Sequence, residues 1–325
     1  MRWLRFVVRR LLQAVPVLII VALGVFLLLA LAPGDAVDAY LAGSGGGSAD
    51  YAAGLRAAWG LADGWPARLA LYLGRLVRFD LGWSVAFNQP VAALIGARIG
   101  NTLLLTLSAL ALSAGLGTLA GLAAALKAGT WRDGLINAVA LVFNATPAFF
   151  VGLAGIILFS VKLAWLPSGG LFTIGAPLVG LAAVADVARH LVLPVAALAL
   201  SYTALYVRVM RAAMLGVAAS DHVRFLRANG LPERRIVWRH MARNAIVPVV
   251  TLLGLQAGLL LGGSVVIETV FAIPGLGRLA YEAVMQRDLP LLAGIILTGT
   301  LVVIAANLLA DLAHARLDPR VGASL

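Results

Sequence analysis

The sequence predicts an all-α fold: a polytopic membrane helix bundle of about six transmembrane helices, with both termini cytoplasmic and a polar two-helix loop on the cytoplasmic side. Three observations point there. Of 325 residues, 62% are hydrophobic and only 12% are charged, too few charges to cover the outside of a soluble domain. Six stretches are apolar over enough length for a bilayer-crossing helix, which takes roughly 20 residues. The net charge of +11 is distributed unevenly about those stretches.

The stretches run Leu11–Ala32, Asn101–Leu126, Leu135–Val161, Leu191–Val207, Ala245–Ile267 and Leu291–Ala310, and none contains Asp, Glu, Lys, Arg or His. The first follows Arg2, Arg5, Arg9 and Arg10. Its apolar run exceeds the ~7–15 residues of a signal-peptide core, so it reads as a retained span. The long connection after it opens with a Gly/Ser tract, Gly43–Ser48, and continues in an amphipathic helix over Trp65–Phe79. The second stretch carries Gly117-x-x-x-Gly121, a spacing that lets helix backbones approach closely. In the third, Pro147 after Thr146 predicts a kink or break. Shorter outer segments follow at Lys162–His190 and Glu268–Pro290. With no internal repeat and no separate soluble segment, residues 1–325 read as one transmembrane domain, with 33–100 mainly extracytoplasmic and 212–244 a cytoplasmic loop.

Six spans put both termini on one side, and charge decides which. With the termini inside, sixteen basic and five acidic residues are cytoplasmic, against nine of each outside. The whole net charge then falls on the side that the positive-inside rule calls cytoplasmic. The basic composition therefore describes topology and does not call for a nucleic-acid partner.

Several chemistries are excluded or disfavoured. Cysteine is absent, which rules out disulfides, zinc–thiolate sites and thiol nucleophiles. His190, His222, His240 and His314 lie in different segments, so no metal site is read from them. A phosphate-binding loop needs Gly-Lys-Ser or Gly-Lys-Thr, whereas Lys127 and Lys162 follow Leu and Val. The chain itself carries no ATPase site.

The densest polar segment is FLRANGLPERRIVWRHMARNAIVP, Phe225–Pro248. Its arginines would each cost about 2.5–3.5 kcal/mol at the centre of a membrane helix, so it lies outside the bilayer. Asp221–Asn229 has helix-forming composition, Gly230 offers a stop, and Pro232-Glu233 begins a second helix. Val237, Trp238 and Met241 then fall on one face, ringed by Arg234, Arg235 and Arg239. The arginines alone suit a solvated loop touching anionic lipid head groups. The helical order and the apolar stripe suit the docking of a partner protein.

These residues resemble the cytoplasmic "EAA" loop of ATP-binding cassette importer permeases, in the form carried by the dipeptide, oligopeptide and nickel transporters. The matching positions are Ala228, Gly230, Leu231, Glu233, Arg234, His240, Arg243, Asn244 and Pro248, the last opening the next span. The resemblance extends along the chain through RRLLQAVPVL (Arg9–Leu18), LAPGD (Leu31–Asp35), DLGWS (Asp80–Ser84), WLPSGG (Trp165–Gly170), ETVFAIPGLGRL (Glu268–Leu279), RDLPLLAG (Arg287–Gly294) and LDPR (Leu317–Arg320). Two departures stand out. Arg224-Phe225-Leu226 replaces the eponymous Glu-Ala-Ala, and the Gly43–Ser48 tract is longer than the family's usual segment.

The resemblance implies the permease subunit of an ATP-driven importer in the bacterial inner membrane, moving di- or oligopeptides or a similar small solute. It implies two ATPase subunits that hold ATP and Mg, a second homologous permease or second copy of this one, and an extracytoplasmic solute-binding protein. No cofactor is expected in this chain. Ala228, Gly230, Leu231, Pro232, Glu233, Arg234, Arg235, Trp238, His240, Asn244 and Pro248 would form the ATPase-coupling loop, with the coupling helix around Leu231–Arg239. Pro274, Gly275, Leu276 and Gly277 would face the binding protein, and Asn101, Asn144 and Pro147 are candidates for the substrate path. Two alternatives remain: a structural membrane subunit, and an ion-coupled secondary transporter, which the absence of ionisable groups from the six stretches disfavours.

Overall fold

The computed structural model describes residues 2–31, 37–38, 41, 46–58, 64–176 and 178–317. Parts of three predicted features lie outside the described residues: 43–45 of the Gly/Ser tract, 32–35 of LAPGD and 318–320 of LDPR.

The elements in chain order are α1 (Arg2–Leu31), α2 (Ala49–Ala58), α3 (Trp65–Val77), β1 (Trp83–Ser84), β2 (Gln89–Pro90), α4 (Val91–Leu126) and α5 (Trp131–Ala145). Then come α6 (Ala148–Gly155), prolonged by π turns over Ile156–Lys162, α7 (Leu181–Ala218) and α8 (Asp221–Ala228). Helix α9 (Glu233–Arg235) runs through π turns at Ile236–Met241 into α10 (Ala242–Val270), and α11 (Leu276–Met285) and α12 (Leu289–Leu317) complete the chain. The two strands form only a small antiparallel hairpin, with Trp83 opposite Pro90 and Ser84 opposite Gln89.

Among the described residues, four helices are long and apolar enough to cross a membrane: α1, α4, α7 and α12. Helices α5 and α6 would make a fifth if taken together, but they meet at 97°. The third predicted stretch is thus broken where Thr146-Pro147 stands. Pro147 has no N–H to continue the α5 ladder, and its φ of −56° and ψ of 136° turn the chain before α6 begins. Helix α10 covers the predicted fifth stretch and, at 29 residues, is about 43 Å long.

Several helices outrun their apolar stretches. Helix α4 begins at Val91 rather than Asn101, and α7 at Leu181 rather than Leu191. The extra turns contain charges that partners outside them satisfy, so the helix does not end there. Arg98 Nη1 donates to Glu282 Oε2 at 2.9 Å, and Thr173 donates from N and Oγ1 to Asp186, both at 2.7 Å.

The chain divides into two compact units, residues 1–101 with 275–304 and residues 102–274 with 305–325. The first has a core of Val91, Leu94 and Ile95 packed with Leu276, Leu279, Ala283, Leu291 and Ile295. Its organising polar residue is the buried Asp288. Leu291 N donates to Asp288 Oδ1 at 3.1 Å, which caps α12. Ser84 Oγ and Ala86 N donate to Asp288 Oδ2 at 2.5 and 3.1 Å, which ties the hairpin to that cap.

In the second unit, α7 is the central helix, packed by α5, α6 and α10. Helix α4 meets it along Gly117 and Gly121. A methyl on Gly121 would lie 2.5 Å from Val207 O, and one on Gly117 would lie 2.4 Å from Tyr206 Cβ. The predicted small-residue spacing is therefore a contact between backbones. Tyr206, Met210 and Met214 of α7 carry the core on toward Val223, Ile236, Val237 and Met241.

Candidate functional site

The polar segment after α7 folds as a helix–turn–helix. Ser220 precedes α8, and Asn229 and Gly230 end it. Gly230 has φ +71°, Gly230 N donates to Arg227 O at 3.0 Å and Leu231 N to Leu226 O at 3.3 Å. This is the Schellman pattern, whose left-handed residue favours glycine. Its usual apolar pair is also present, since Leu226 and Leu231 both pack against the core that holds Val223 and Ile236.

Pro232 is the N-cap of the second helix, with its carbonyl accepting from Arg235 N at 2.9 Å and Ile236 N at 3.1 Å. Glu233 in the first turn is bound back to α8 by Arg227, with Nη2 to Oε1 at 2.7 Å and Nε to Oε2 at 3.2 Å. The guanidinium holds the Glu233 carboxyl below its ordinary range, and the carboxylate in turn raises the pKa of Arg227. The His222 and His240 rings meet across the same hairpin, tilted by 58° with their centroids 5.7 Å apart.

The second helix does not stop before the next span. It continues through π turns at Ile236–Met241 into α10, so Pro248 lies inside α10 rather than at its start. The π turns also correct the predicted apolar stripe. Val237 and Met241 are buried, but Trp238 is 57% exposed and the fully buried partner is Ile236. With hydrogen bonds from i to i+5, Ile236 and Met241 share a face that a regular helix would have divided differently.

The outer surface of the hairpin is thereby defined. Ala228, Gly230, Pro232, Glu233, Arg234, Arg235, Trp238 and Asn244 are exposed, Leu231 and His240 are half-buried, and Phe225 of α8 is 67% exposed. Two large aromatic side chains stand among arginines on a base that is closed and apolar.

A second cluster fixes the cytoplasmic end predicted for α7. Arg211 Nε and Nη2 donate to Asp133 Oδ1 and Oδ2, both at 2.7 Å. Asp133 also accepts from Gly129 N at 3.1 Å and Asn137 Nδ2 at 2.8 Å. These residues are 78 positions apart, and no local signal in the sequence pairs them.

Of the path candidates, Asn144 is an exposed joint between helices. Its Nδ2 donates to Ser201 O of α7 at 3.1 Å, and its Oδ1 accepts from Arg208 Nη2 at 3.4 Å. Pro147 is exposed at the break between α5 and α6, and Asn101 is half-buried within α4.

The four residues expected to face a binding protein are placed differently. Gly275 is the N-cap of α11 and Leu276-Gly277 its first turn. All three are buried and Pro274 is half-buried. Proline and glycine serve here to start a helix against the core, and the exposed residues of α11 are Tyr281, Val284 and Met285. Glu268, upstream, is also fully buried. It accepts from Thr102 Oγ1 at 2.8 Å and Ser264 Oγ at 3.0 Å. An ionisable group thus sits in the last turns of α10, just beyond the apolar stretch that ended at Ile267.

Residues 117–323 match the family described as binding-protein-dependent transport system inner membrane component. Over 319 residues the chain is 39% identical to a protein of Brucella ovis named as a candidate peptide permease, covering 98% of this chain and 99% of that one. It is 36% identical over 318 residues to the glutathione transport system permease protein GsiC of Escherichia coli, with 98% and 99% covered. Among solved structures it resembles the MetNI methionine ABC transporter in inward-facing conformations, with TM-score 0.54, 16% identity, and 69% of this chain and 96% of that chain covered. It also resembles an amino acid ABC transporter, with TM-score 0.51, 18% identity, and 69% and 94% covered. At these identities the structural likeness concerns the fold.

Proposed function

The chain belongs to the binding-protein-dependent transport system inner membrane components, the permease subunits of ABC importers, and on that premise we propose that its helix–turn–helix at residues 221–241 is where an ATPase partner drives it. The observation that carries this is the union of an exposed tip with a continuous helix. Pro232–Arg235 and Trp238 are exposed, and the same helical rod runs without a break from Glu233 to Val270. A push on the tip is delivered to a membrane helix as a rigid-body displacement, with no flexible joint to absorb it.

Two ATPase subunits would bind ATP and Mg and hydrolyse the nucleotide, and a second homologous permease, or a second copy of this chain, would complete the pathway. A solute-binding protein would deliver the substrate from outside. For that outer contact, Pro274–Gly277 would form the base at the buried start of α11, and the exposed Tyr281, Val284 and Met285 would supply the surface. The charge distribution supports cytoplasmic termini in the bacterial inner membrane. In this arrangement residues 1–325 act as one permease domain, with 33–100 mainly outside and 212–244 inside. The relatives' names favour a peptidic solute, di- or oligopeptides or glutathione. Asn101, Asn144 and Pro147 would line the route of such a solute, with Arg208 held beside Asn144.

The lack of native cysteine makes the coupling test direct. Single cysteines at Pro232, Arg234, Arg235 and Trp238 are expected to crosslink to a cysteine-bearing ATPase in the assembled complex. An intact complex that yields no crosslink from any position in Leu231–Arg239 overturns the assignment.

A further inference from the structure

Within the second unit, the loop after the π turns of α6 and the first turns of α7 line an open cavity of about 420 Å³. Its polar lining is Ser160, Ser168, Thr173, Asp186, Arg189 and His190. Ser160, Thr173, Asp186 and Arg189 carry no motif in the sequence, and the coupling loop makes no use of any of the six. The size is that of a small-molecule site, and the charge distribution of the chain places it on the outer side.

The polar groups are held in fixed roles. Arg189 Nη2 donates to Trp165 O at 2.6 Å, which anchors the guanidinium by one of its five N–H donors. Both Asp186 oxygens are engaged by Thr173, from N to Oδ2 and from Oγ1 to Oδ1, at 2.7 Å each. His190 is only 7% exposed, and its Nδ1 lies 2.8 Å from the Asp186 carbonyl oxygen. A carbonyl only accepts, so Nδ1 carries a proton, and Nε2 accepts when the ring holds that single proton. Ser160 Oγ donates to Pro167 O at 3.2 Å, which leaves its own lone pairs to accept. The cavity therefore presents a fork of cationic donors and, beside it, acceptors on His190 and Ser160.

From this pairing we infer that the cavity is a subsite for the carboxylate end of a small peptidic solute, an inference that rests on the proposed importer function for its substrate class. The carboxylate lies against Arg189, whose planar fork matches two oxygens, and a peptide N–H or ammonium faces His190 Nε2 and Ser160 Oγ. A neutral sugar would leave the guanidinium unmatched, and a metal cation would be repelled by it. With one fixed cation and one carboxylate in the lining, a zwitterion fits better than a polyanion.

The test uses the full chain in lipid nanodiscs with Ser168→Cys as its single thiol, and follows alkylation by a maleimide. The dipeptide Ala-Phe is expected to slow the reaction, and Ala-Phe amide to require a roughly tenfold or higher concentration for the same protection, the size of a lost charged hydrogen bond. Arg189→Gln in the S168C chain should erase the difference, and Arg189→Lys should retain part of it. Equal protection by acid and amide, or no protection by either, overturns the inference. This comparison decides the question on the S168C chain alone if R189Q does not fold. Uptake of Ala-Phe by the reconstituted importer is a separate readout: acid-selective protection without uptake leaves the subsite standing and counts against peptide import.

Discussion

Arg227 and Glu233 grip each other across the Gly230 turn through two hydrogen bonds, 2.7 and 3.2 Å long. They join the end of α8 to the first turn of the rod that becomes α10, so the angle between the two helices is held by a planar, two-point contact. Both side chains remain accessible, at 44% and 58% exposure, and the pair sets geometry more than it adds stability.

That pair has a defined pH dependence. Arg227 lowers the Glu233 carboxyl below its ordinary value, so the carboxylate form favours the clamped turn. The contribution is fully present above the unclamped carboxylate pKa, about 4.3, and is lost as pH falls through the lowered value. An exposed pair is worth at most about 1 kcal/mol, so amide exchange over 228–236, corrected for intrinsic rates, should be flat from neutral pH down to about 5 and then rise by up to about fivefold. Glu233→Gln should show the raised exchange at every pH. A parent protein with no rise on acidification contradicts this account.

Trp238 and Ile236 separate docking from folding. Trp238→Ala is expected to change the chain's own stability by no more than about 0.5 kcal/mol, because its side chain is largely solvated, while uncoupling ATP hydrolysis from transport. Ile236→Ala should cost about 2–4 kcal/mol, since it empties a fully buried site. Thermal unfolding of the isolated chain and transport by the complex, measured for both variants, should give opposite patterns.

Gly121→Ala should force α4 away from α7, because its methyl would stand 2.5 Å from the Val207 carbonyl oxygen, a backbone atom that cannot rotate aside. Overpacking of this kind costs about 1–3 kcal/mol. Gly115→Ala has nothing within 4 Å of the new methyl and should be neutral or stabilising by a few tenths of a kcal/mol, up to about 1 kcal/mol, through helix propensity. Equal melting temperatures for the two variants would show that the helices do not meet at this face.

Asp133 and Arg211 should behave as a unit. Asp133→Asn or Arg211→Gln leaves the other member of a bidentate pair without its counterpart, and each should lower the unfolding temperature more than Arg224→Ala, whose side chain is 72% exposed. The double variant should lose little beyond either single one, because the second change removes a group already stranded. Additive losses would mean that the two side chains act separately.

The coarse architecture was legible because its signals are local. Long apolar runs gave the membrane helices, Pro147 gave the break, and Gly230 with Pro232-Glu233 gave the hairpin, each through a backbone property that needs no distant partner. Helix lengths were less legible. Arg98, Asp186, Arg189 and Glu268 interrupted or bounded the apolar windows, yet the helices include all four because partners elsewhere satisfy them. Trp238 was misplaced for a related reason, since π turns change which residues share a face.

The sequence by itself determined that this chain carries helices able to cross a membrane and where its polar hairpin folds, because hydropathy and turn chemistry act over a few residues. Only the tertiary structure decided that Asp133 meets Arg211 and that Glu268 meets Thr102, that Gly275-Leu276-Gly277 turns inward, and that Ser160, Arg189 and His190 line one cavity. Those outcomes depend on distances between residues far apart in the chain, which are set when apolar faces pack and the buried polar groups must find partners.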